Sequence, residues 1–206
     1  MRRTDMLGSA PEWARKIIEE RGGIIRTSDA LKAGIHPRTL YGLRDGGILE
    51  QMSRGVFHLA TREAMSNPDL VTVALRYPRA VICLVSALAF HGITTQIPHA
   101  VSIALEKGTE SPRMDYPPLS VHRFSRECLR AGAEQHDIDG VTVQIYSAEK
   151  TLTDCFKFRN KIGMDIVLEA LKLYRARKEL KVGDLMKYAR ICRVEKIMKP
   201  YLEATL

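Results

Sequence analysis

The sequence predicts a mixed α/β (α+β) fold in two parts, and three observations lead to this prediction. Residues 24–59 have the pattern of two short helices around a glycine, followed by a β-hairpin. Three later runs alternate polar and apolar side chains in part, as strands with one wetter face do. The chain from residue 165 onward has a helical pattern. We therefore expect a small domain over 1–65 and a mixed domain, with a small sheet and several helices, over 66–206.

The first part begins with a helix, a short strand and two further helices. Pro11 and Glu12 favour a helix start, because proline suits the first turn and a carboxylate suits the positive end of the helix dipole. A short strand is expected at 24–26, and Thr27 or Ser28 then caps the second helix. Gly34 separates the second and third helices, since glycine tolerates the left-handed backbone of a tight turn. The third helix is expected to begin at Pro37, the residue type favoured at the first helical position.

A hairpin completes the first part. Two strand-like runs, 48–52 and 56–59, are joined by a turn at Arg54 and Gly55. The order of helix, turn, helix and hairpin is that of a winged helix-turn-helix. In such a unit the second helix of the pair lies in the DNA major groove, so double-stranded DNA is the expected partner.

The third helix should present one polar face to that DNA, because Leu40 and Leu43 are three residues apart and are expected to point inward. Arginine can bind guanine with a two-pronged hydrogen bond, and threonine can contact the methyl group of thymine. The expected DNA-binding residues are Arg38 and Thr39 at base edges, Tyr41 and Arg44 at phosphates, and Arg54 at a phosphate or in the minor groove. A solvated face of a protein-interaction domain would show the same polar pattern.

Composition supports a polyanionic partner and an intracellular location. The formal net charge is +8, and a basic chain attracts nucleic acid or acidic membrane surfaces. Cys83, Cys128, Cys155 and Cys192 form no close pair, so we expect reduced core cysteines and neither a zinc site nor a disulfide framework. No apolar run approaches the roughly 20 residues needed to cross a bilayer. The expectation is a cytoplasmic protein that does not enter membranes.

The second part should contain a helix, a buried apolar run, three strands and a helical end. Its expected elements are a helix from Pro68, a short helix ending at Gly92, strands at 101–105, 119–124 and 141–146, a helix capped by Ser147, and helices at 165–178, 184–192 and 194–204.

The helical end is strongly basic. Between residues 172 and 199 there are ten bases and three acids, a local charge of +7. Lys172, Arg175 and Lys178 are three residues apart and share one helix face. This basic stripe could contact DNA or an acidic partner protein, although a solvated helix surface would have the same pattern.

No signature of catalysis or of a cofactor is present in the sequence. The six histidines lack metal-binding spacing, and no phosphate-binding glycine loop or nucleophile elbow occurs. A metal-dependent nuclease site could use Asp69 or Asp115 with Glu106 and Lys107. Adjacent residues on a strand point to opposite faces, which argues against that site. We therefore expect a protein that is not an enzyme and has no metal or cofactor.

Three segments resemble the AbiEi family of antitoxins. They are GGIIRTSDALKAGIHPRTLYGLRDGGILEQMSRGVFHL at 22–59, VSALAFHGI at 85–93 and IYSAEKTLTDCFKFRNKIGMDIVLEALKLY at 145–174. The resemblance implies an antitoxin that represses its own operon by binding inverted repeats, as a monomer or dimer, and counteracts a nucleotidyltransferase-like toxin, in some systems without a stable complex. Ser86, His91 and the segment 149–154 are interpreted as structural. The alternative is a stand-alone regulator whose second domain senses a ligand or partner.

Overall fold

The structure is a computed structural model that describes residues 9–177 and 180–204. Its elements are α1 (Ala10–Glu20), β1 (Ile24–Arg26), α2 (Thr27–Lys32), α3 (Pro37–Asp45), β2 (Leu49–Ser53), β3 (Val56–Leu59), α4 (Pro68–Arg76), β4 (Val81–Ile82), α5 (Leu84–Phe90), β5 (Val101–Glu106), β6 (Leu119–Phe124), α6 (Arg126–Arg130), β7 (Ala133–Ile138), β8 (Val141–Tyr146), α7 (Ala148–Lys157), α8 (Arg159–Ile162), α9 (Met164–Arg175), α10 (Val182–Ile191) and α11 (Glu195–Glu203).

The chain divides into two compact units. The first unit holds the chain up to Arg76 together with Ile138–Val141, and the second unit holds Tyr77–Asp137 and the chain from Thr142. The mixed α/β class expected from the sequence is confirmed, since helices and two sheets are both present.

In the first unit, α1, α2 and α3 pack around a three-stranded antiparallel sheet of order β1-β3-β2. Its apolar core comes from α1 through β3 and includes Ile18, Ile35 and Phe57. Gly34 has a φ of 87°, which confirms the glycine turn between α2 and α3. The expected cap of α2 was wrong by one or two residues, because Arg26 has the extended backbone of the cap and Thr27 is already helical.

The hairpin has a turn at the expected residues and an irregular first strand. The first strand begins at Leu49, one residue later than expected, and the pairing with β3 shifts between Gln51 and Ser53. Gly55 has a φ of 76°, and its carbonyl accepts a hydrogen bond from the Thr27 amide at 2.9 Å. The start of α2 therefore holds the hairpin turn.

Helix α4 belongs to the first unit by its contacts. Arg26 donates to the Leu75 carbonyl at 3.2 Å, and Arg76 donates to the Arg54 carbonyl at 3.3 Å. The boundary near residue 65 stays a prediction, and the first unit as the structure delimits it runs to the end of α4.

The second unit contains a five-stranded mixed sheet of order β6-β5-β4-β8-β7. The three expected strands are β5, β6 and β8, and the expected helical end is present as α9, α10 and α11. Four elements were not expected: β4, α6, β7 and α8. The sequence concealed β4 because it is only two residues long inside an apolar run, and β7 because most of its residues are at least partly exposed and polar.

Helix α7 lies in the centre of the second unit and is buried along most of its length. Ser147 accepts from the Lys150 amide, which confirms it as the cap. The side chains of Lys150 and Asp154 are both fully buried and form an ion pair. The Lys150 ammonium also lies 4.1 Å from the centre of the Tyr146 ring. Burial raises the pKa of Asp154, and the adjacent ammonium opposes that rise.

The four cysteines are free and buried, as expected. Cys192 lies close enough to Asp154 for its thiol to donate to the carboxylate at 3.4 Å. Burial raises the pKa of Cys83 and Cys155 well above the ordinary value, so these thiols stay protonated.

Breaking the buried ion pair from one side should be costly. We expect Lys150→Met to lower the free energy of unfolding by about 3–5 kcal/mol, because it leaves the Asp154 carboxyl buried without its cation. The double variant Lys150→Met/Asp154→Leu should recover much of that loss, since apolar side chains of similar size need no partner. Urea unfolding of the wild type and the variants measures both effects. A double variant no more stable than the single one would contradict this account.

Candidate nucleic-acid interface

The rotation of α3 about its axis is fixed by two leucines. Leu40 and Leu43 are 0% and 2% exposed and lie in the apolar core of the first unit. Residues three, four and seven apart share one face of a helix, so the opposite face is determined at the same time. That face carries Arg38, Tyr41, Gly42 and Asp45, all of which are exposed.

The start of α3 is built by His36 and Pro37. The His36 ring Nδ1 accepts from the Arg38 amide at 3.2 Å, and Pro37 occupies the first helical turn. When Nδ1 accepts, a neutral imidazole carries its proton on Nε2, which adds a donor at the exposed N-terminus of α3. His36 is not among the residues expected from the sequence to bind DNA, because the spacing of the histidines was informative only about metal binding.

Arg38 is the basic residue of this face. It is exposed, and within the described residues no carboxylate oxygen lies within 4.0 Å of its guanidinium nitrogens. Its position in the first turn is where recognition helices meet base edges. Thr39, the other residue expected at bases, is half-buried.

Tyr41 and Arg44 are linked to each other and to their surroundings. The Tyr41 ring packs edge-on against Phe57 of β3, with ring centres 6.1 Å apart. The Arg44 guanidinium lies 4.9 Å from the centre of the Tyr41 ring, and two of its nitrogens donate to the Asp45 carboxylate at 2.8 and 2.7 Å. Asp45 therefore offsets part of the charge that the sequence reasoning assigned to Arg44, and a phosphate would compete with this carboxylate.

Gly42 is an unusual residue for the middle of an exposed helix face. A Cβ atom added there would meet nothing within 4 Å, so no crowding inside the protein explains the glycine. Glycine in a helix interior costs roughly 0.5–1 kcal/mol relative to alanine. Glycine does allow another molecule to approach the backbone closely, and this is the property a groove-binding helix can use.

Arg54 lies at the tip of the hairpin, as expected, and its side chain is exposed. Its carbonyl accepts from Arg76, so the backbone of the tip is held while the guanidinium extends outward. Among the described residues the Arg54 side chain has no carboxylate partner, and its contact with DNA stays a prediction.

One protein family matches this part of the chain. Residues 14–60 match the family described as "Transcriptional regulator, AbiEi antitoxin". The matched segment runs from within α1 to the residue after β3, so it contains α3 and the hairpin. The AbiEi resemblance found in the sequence is thus confirmed over this segment, and the description of the family names a transcriptional regulator and an antitoxin.

The second comparison concerns the fold. The crystal structure of the RV2827C protein from Mycobacterium tuberculosis resembles this chain with a TM-score of 0.54 and 15% sequence identity. The match covers 87% of this chain and 72% of that one. At this identity the likeness shows a shared fold alone. No curated protein matches the sequence.

The basic stripe of the second unit is exposed where it is described. Lys172 and Arg175 lie on α9 with exposed side chains, and Lys178 lies outside the described residues. Neither Lys172 nor Arg175 has a carboxylate partner within the described ranges. Lys172 and Arg175 are therefore accessible to a partner, and the identity of that partner stays a prediction.

The polar residues of the family-like blocks in the second unit are engaged inside the protein. Ser86 accepts from the Ser102 amide at 2.9 Å, His91 bonds the Tyr146 carbonyl at 2.7 Å, and Glu149 accepts from the Tyr174 hydroxyl at 2.8 Å. Burial lowers the pKa of His91, which favours the neutral ring. A structural role requires such partners, so these contacts agree with the interpretation of the three residues as structural.

One carboxylate of the nuclease alternative, that of Glu106, is already engaged in an ion pair. Glu106 ends β5 and accepts from Arg126 at 3.0 Å. Across the described residues, no three His, Cys, Asp or Glu side chains are grouped so as to hold a metal ion.

None of the described helices is both long and apolar enough to span a bilayer.

Gly42 gives a test that separates stability from binding. We expect Gly42→Ala to stabilise the protein by about 0.5–1 kcal/mol, because the residue is helical and uncrowded. The same methyl group should weaken binding to a duplex that spans the chain's own promoter, because it holds the backbone of α3 away from the groove. Thermal unfolding and gel-shift titration measure the two effects.

The matched control is Gly183→Ala in α10, where an added Cβ also meets nothing within 4 Å. It should stabilise the protein without changing promoter binding. Equal promoter binding by the Gly42 and Gly183 variants would show that DNA does not approach the backbone at Gly42.

Proposed function

We propose that the chain is an antitoxin that represses its own operon, with α3 entering the major groove of inverted repeats in the promoter. The observation that carries this proposal is the exposed face of α3, inside the segment that matches AbiEi regulators. At the N-terminal end of this face Arg38 has no carboxylate partner among the described residues. Arg38 and Thr39 are the proposed base contacts. Tyr41, Arg44 and Arg54 are the proposed backbone contacts, and His36 joins them as a donor at the start of the helix.

Two chains on two half-sites explain why inverted repeats are the expected target. A palindromic site mirrors the two-fold symmetry of a pair of winged helices, and half-sites about one helical turn apart place both recognition helices on one side of the duplex. Monomers that bind the two half-sites independently would also repress the promoter, but with lower affinity for the DNA.

The antitoxin role is assigned to the second unit, with no catalytic step in our proposal. The partner is a nucleotidyltransferase-like toxin encoded beside this chain. The exposed Lys172 and Arg175 are the proposed contact surface for an acidic patch of that toxin, or for an acidic molecule that toxin action requires.

The first test concerns Arg38. We expect Arg38→Ala to weaken binding to the promoter repeat by roughly 1–3 kcal/mol and to relax sequence preference at the contacted base pair. Arg130→Ala, at an exposed position of α6, is the matched control and should bind as the wild type does. Gel-shift titration against the repeat and against single-base variants measures both properties. Unchanged affinity and unchanged sequence preference would remove Arg38 from the interface.

The second test concerns the stripe on α9. Replacing Lys172 and Arg175 with Gln should abolish or reduce growth rescue when the chain is co-expressed with the neighbouring gene, while promoter affinity stays unchanged. If the stripe binds phosphates instead, the same variant should bind all duplexes more weakly and show a flatter dependence on salt.

The two outcomes assign the stripe to the toxin or to DNA, and a variant that behaves as the wild type in both assays would exclude both roles. A neighbouring gene without toxicity would favour the stand-alone regulator, whose second unit responds to a ligand or partner.

A further inference from the structure

A second feature of the molecule is a basic cavity in the second unit, separate from the stripe on α9. The cavity has a volume of about 360 Å³. Its lining residues come from the end of β5, from β6, and from the junction of α7 and α8: Lys107, Arg123, Ser125, Lys157, Phe158, Asn160 and Lys161. Small-molecule sites begin at about this volume.

The lining of the cavity is strongly basic. Four of its seven lining residues are basic and none is acidic. Within the described part of the chain, no carboxylate oxygen lies within 4.0 Å of the charged nitrogens of these four residues. Glu106, the residue before Lys107, is already paired with Arg126, which does not line the cavity. Four like charges around one cavity repel each other, so the arrangement favours an anion that neutralises them.

The most constrained of the four bases is Arg123. Its guanidinium donates to the hydroxyls of Thr109 and Ser111, the latter at 2.8 Å. Neutral acceptors thus hold the group in place without cancelling its charge. A guanidinium fixed in this way can present its remaining donors to phosphate oxygens.

Phe158 gives the cavity an aromatic wall. The ring packs on Phe124 with centres 5.3 Å apart, and the Lys161 ammonium lies 5.9 Å from its centre. His122 packs edge-on against the same ring at 5.3 Å, and burial, followed by the charge of Lys161, lowers the pKa of His122. Ser125 and Asn160 add uncharged polar groups.

We propose that this cavity binds the polyphosphate chain of a small molecule, either a nucleoside triphosphate or free inorganic polyphosphate. Multiple phosphates match four cations in one enclosure, and the two sources differ only in the base that a nucleotide would place near Phe158. This site is independent of promoter binding by α3, and it gives the second unit a ligand of defined chemistry.

The test is calorimetric titration of the full chain with sodium triphosphate, with ATP and with adenosine. Triphosphate and ATP are expected to bind, and adenosine is not. Lys107→Gln/Lys161→Gln should raise the dissociation constant for triphosphate by about tenfold or more, as expected when two charge-assisted contacts are lost. Both lysines are exposed and their removal relieves charge repulsion, so the variant should unfold at a temperature no lower than that of the wild type.

The matched control is Lys187→Gln/Lys196→Gln, which removes two exposed charges from α10 and α11. It should change the dissociation constant by less than about twofold, because only screened long-range attraction is lost. ATP that binds more tightly than triphosphate identifies a nucleotide as the source, and equal affinity identifies the polyphosphate alone.

Three results would overturn the proposal. They are absence of triphosphate binding at millimolar concentration, an equal loss of affinity in the control variant, and a cavity variant that weakens binding of random duplex DNA while leaving triphosphate binding intact. None of these three results depends on whether α3 binds the promoter, so the ligand site and promoter binding are tested separately.

Discussion

The burial of Leu40 and Leu43 is the constraint on which the first unit's function depends. These two side chains fix how α3 is rotated, and everything proposed for DNA follows from that rotation. The same packing sets Tyr41 against Phe57 of β3, so the position of the helix and the position of the hairpin are coupled. A helix held less firmly would have to be ordered when it binds, and the entropy lost in that ordering would lower the affinity for a ligand.

The second unit is organised around an equivalent anchor in α7. Its buried Lys150–Asp154 pair and its capped start fix the helix within an apolar core. Lys157 ends this helix and Phe158 follows it, so the anchor also positions one side of the basic cavity. A buried ion pair contributes little net stability, but it penalises any arrangement in which its two partners separate. Both partners lie on α7, one turn apart, so the pair favours the helical form of this segment. The position of α7 is set by its contacts with other elements, such as those of Lys150 with the Tyr146 ring and of Asp154 with the Cys192 thiol.

The sequence predicted the first unit more fully than the second. Local signals, such as Pro37, Gly34 and the spacing of Leu40 and Leu43, determine the elements of the winged helix-turn-helix. The exposure of Arg38 and Tyr41 also follows from the spacing of the two leucines. The half-burial of Thr39 and Arg44 could not be predicted in this way, because it depends on the side chains around them. Gly42 was overlooked because only the structure shows that nothing crowds it.

The basic cavity was invisible to sequence reasoning for a different reason. Its residues are separated by up to 54 positions, from Lys107 to Lys161, and the parallel pairing of β5 with β6 brings two of the segments together. Short or polar elements such as β4 and β7 also give little periodic signal, so the order of the five-stranded sheet could not be derived. Pairing between strands that are far apart in the chain cannot be predicted from local sequence patterns.

The central claim is that the polar face of α3 and the hairpin tip enter a duplex groove. Amide hydrogen exchange of the full chain, with and without a duplex of its own promoter, tests this claim most directly. The account predicts added protection concentrated in 36–45 and 53–56, and little change in the sheet of the second unit. Protection confined to the helices after residue 164, with none in α3, would contradict it.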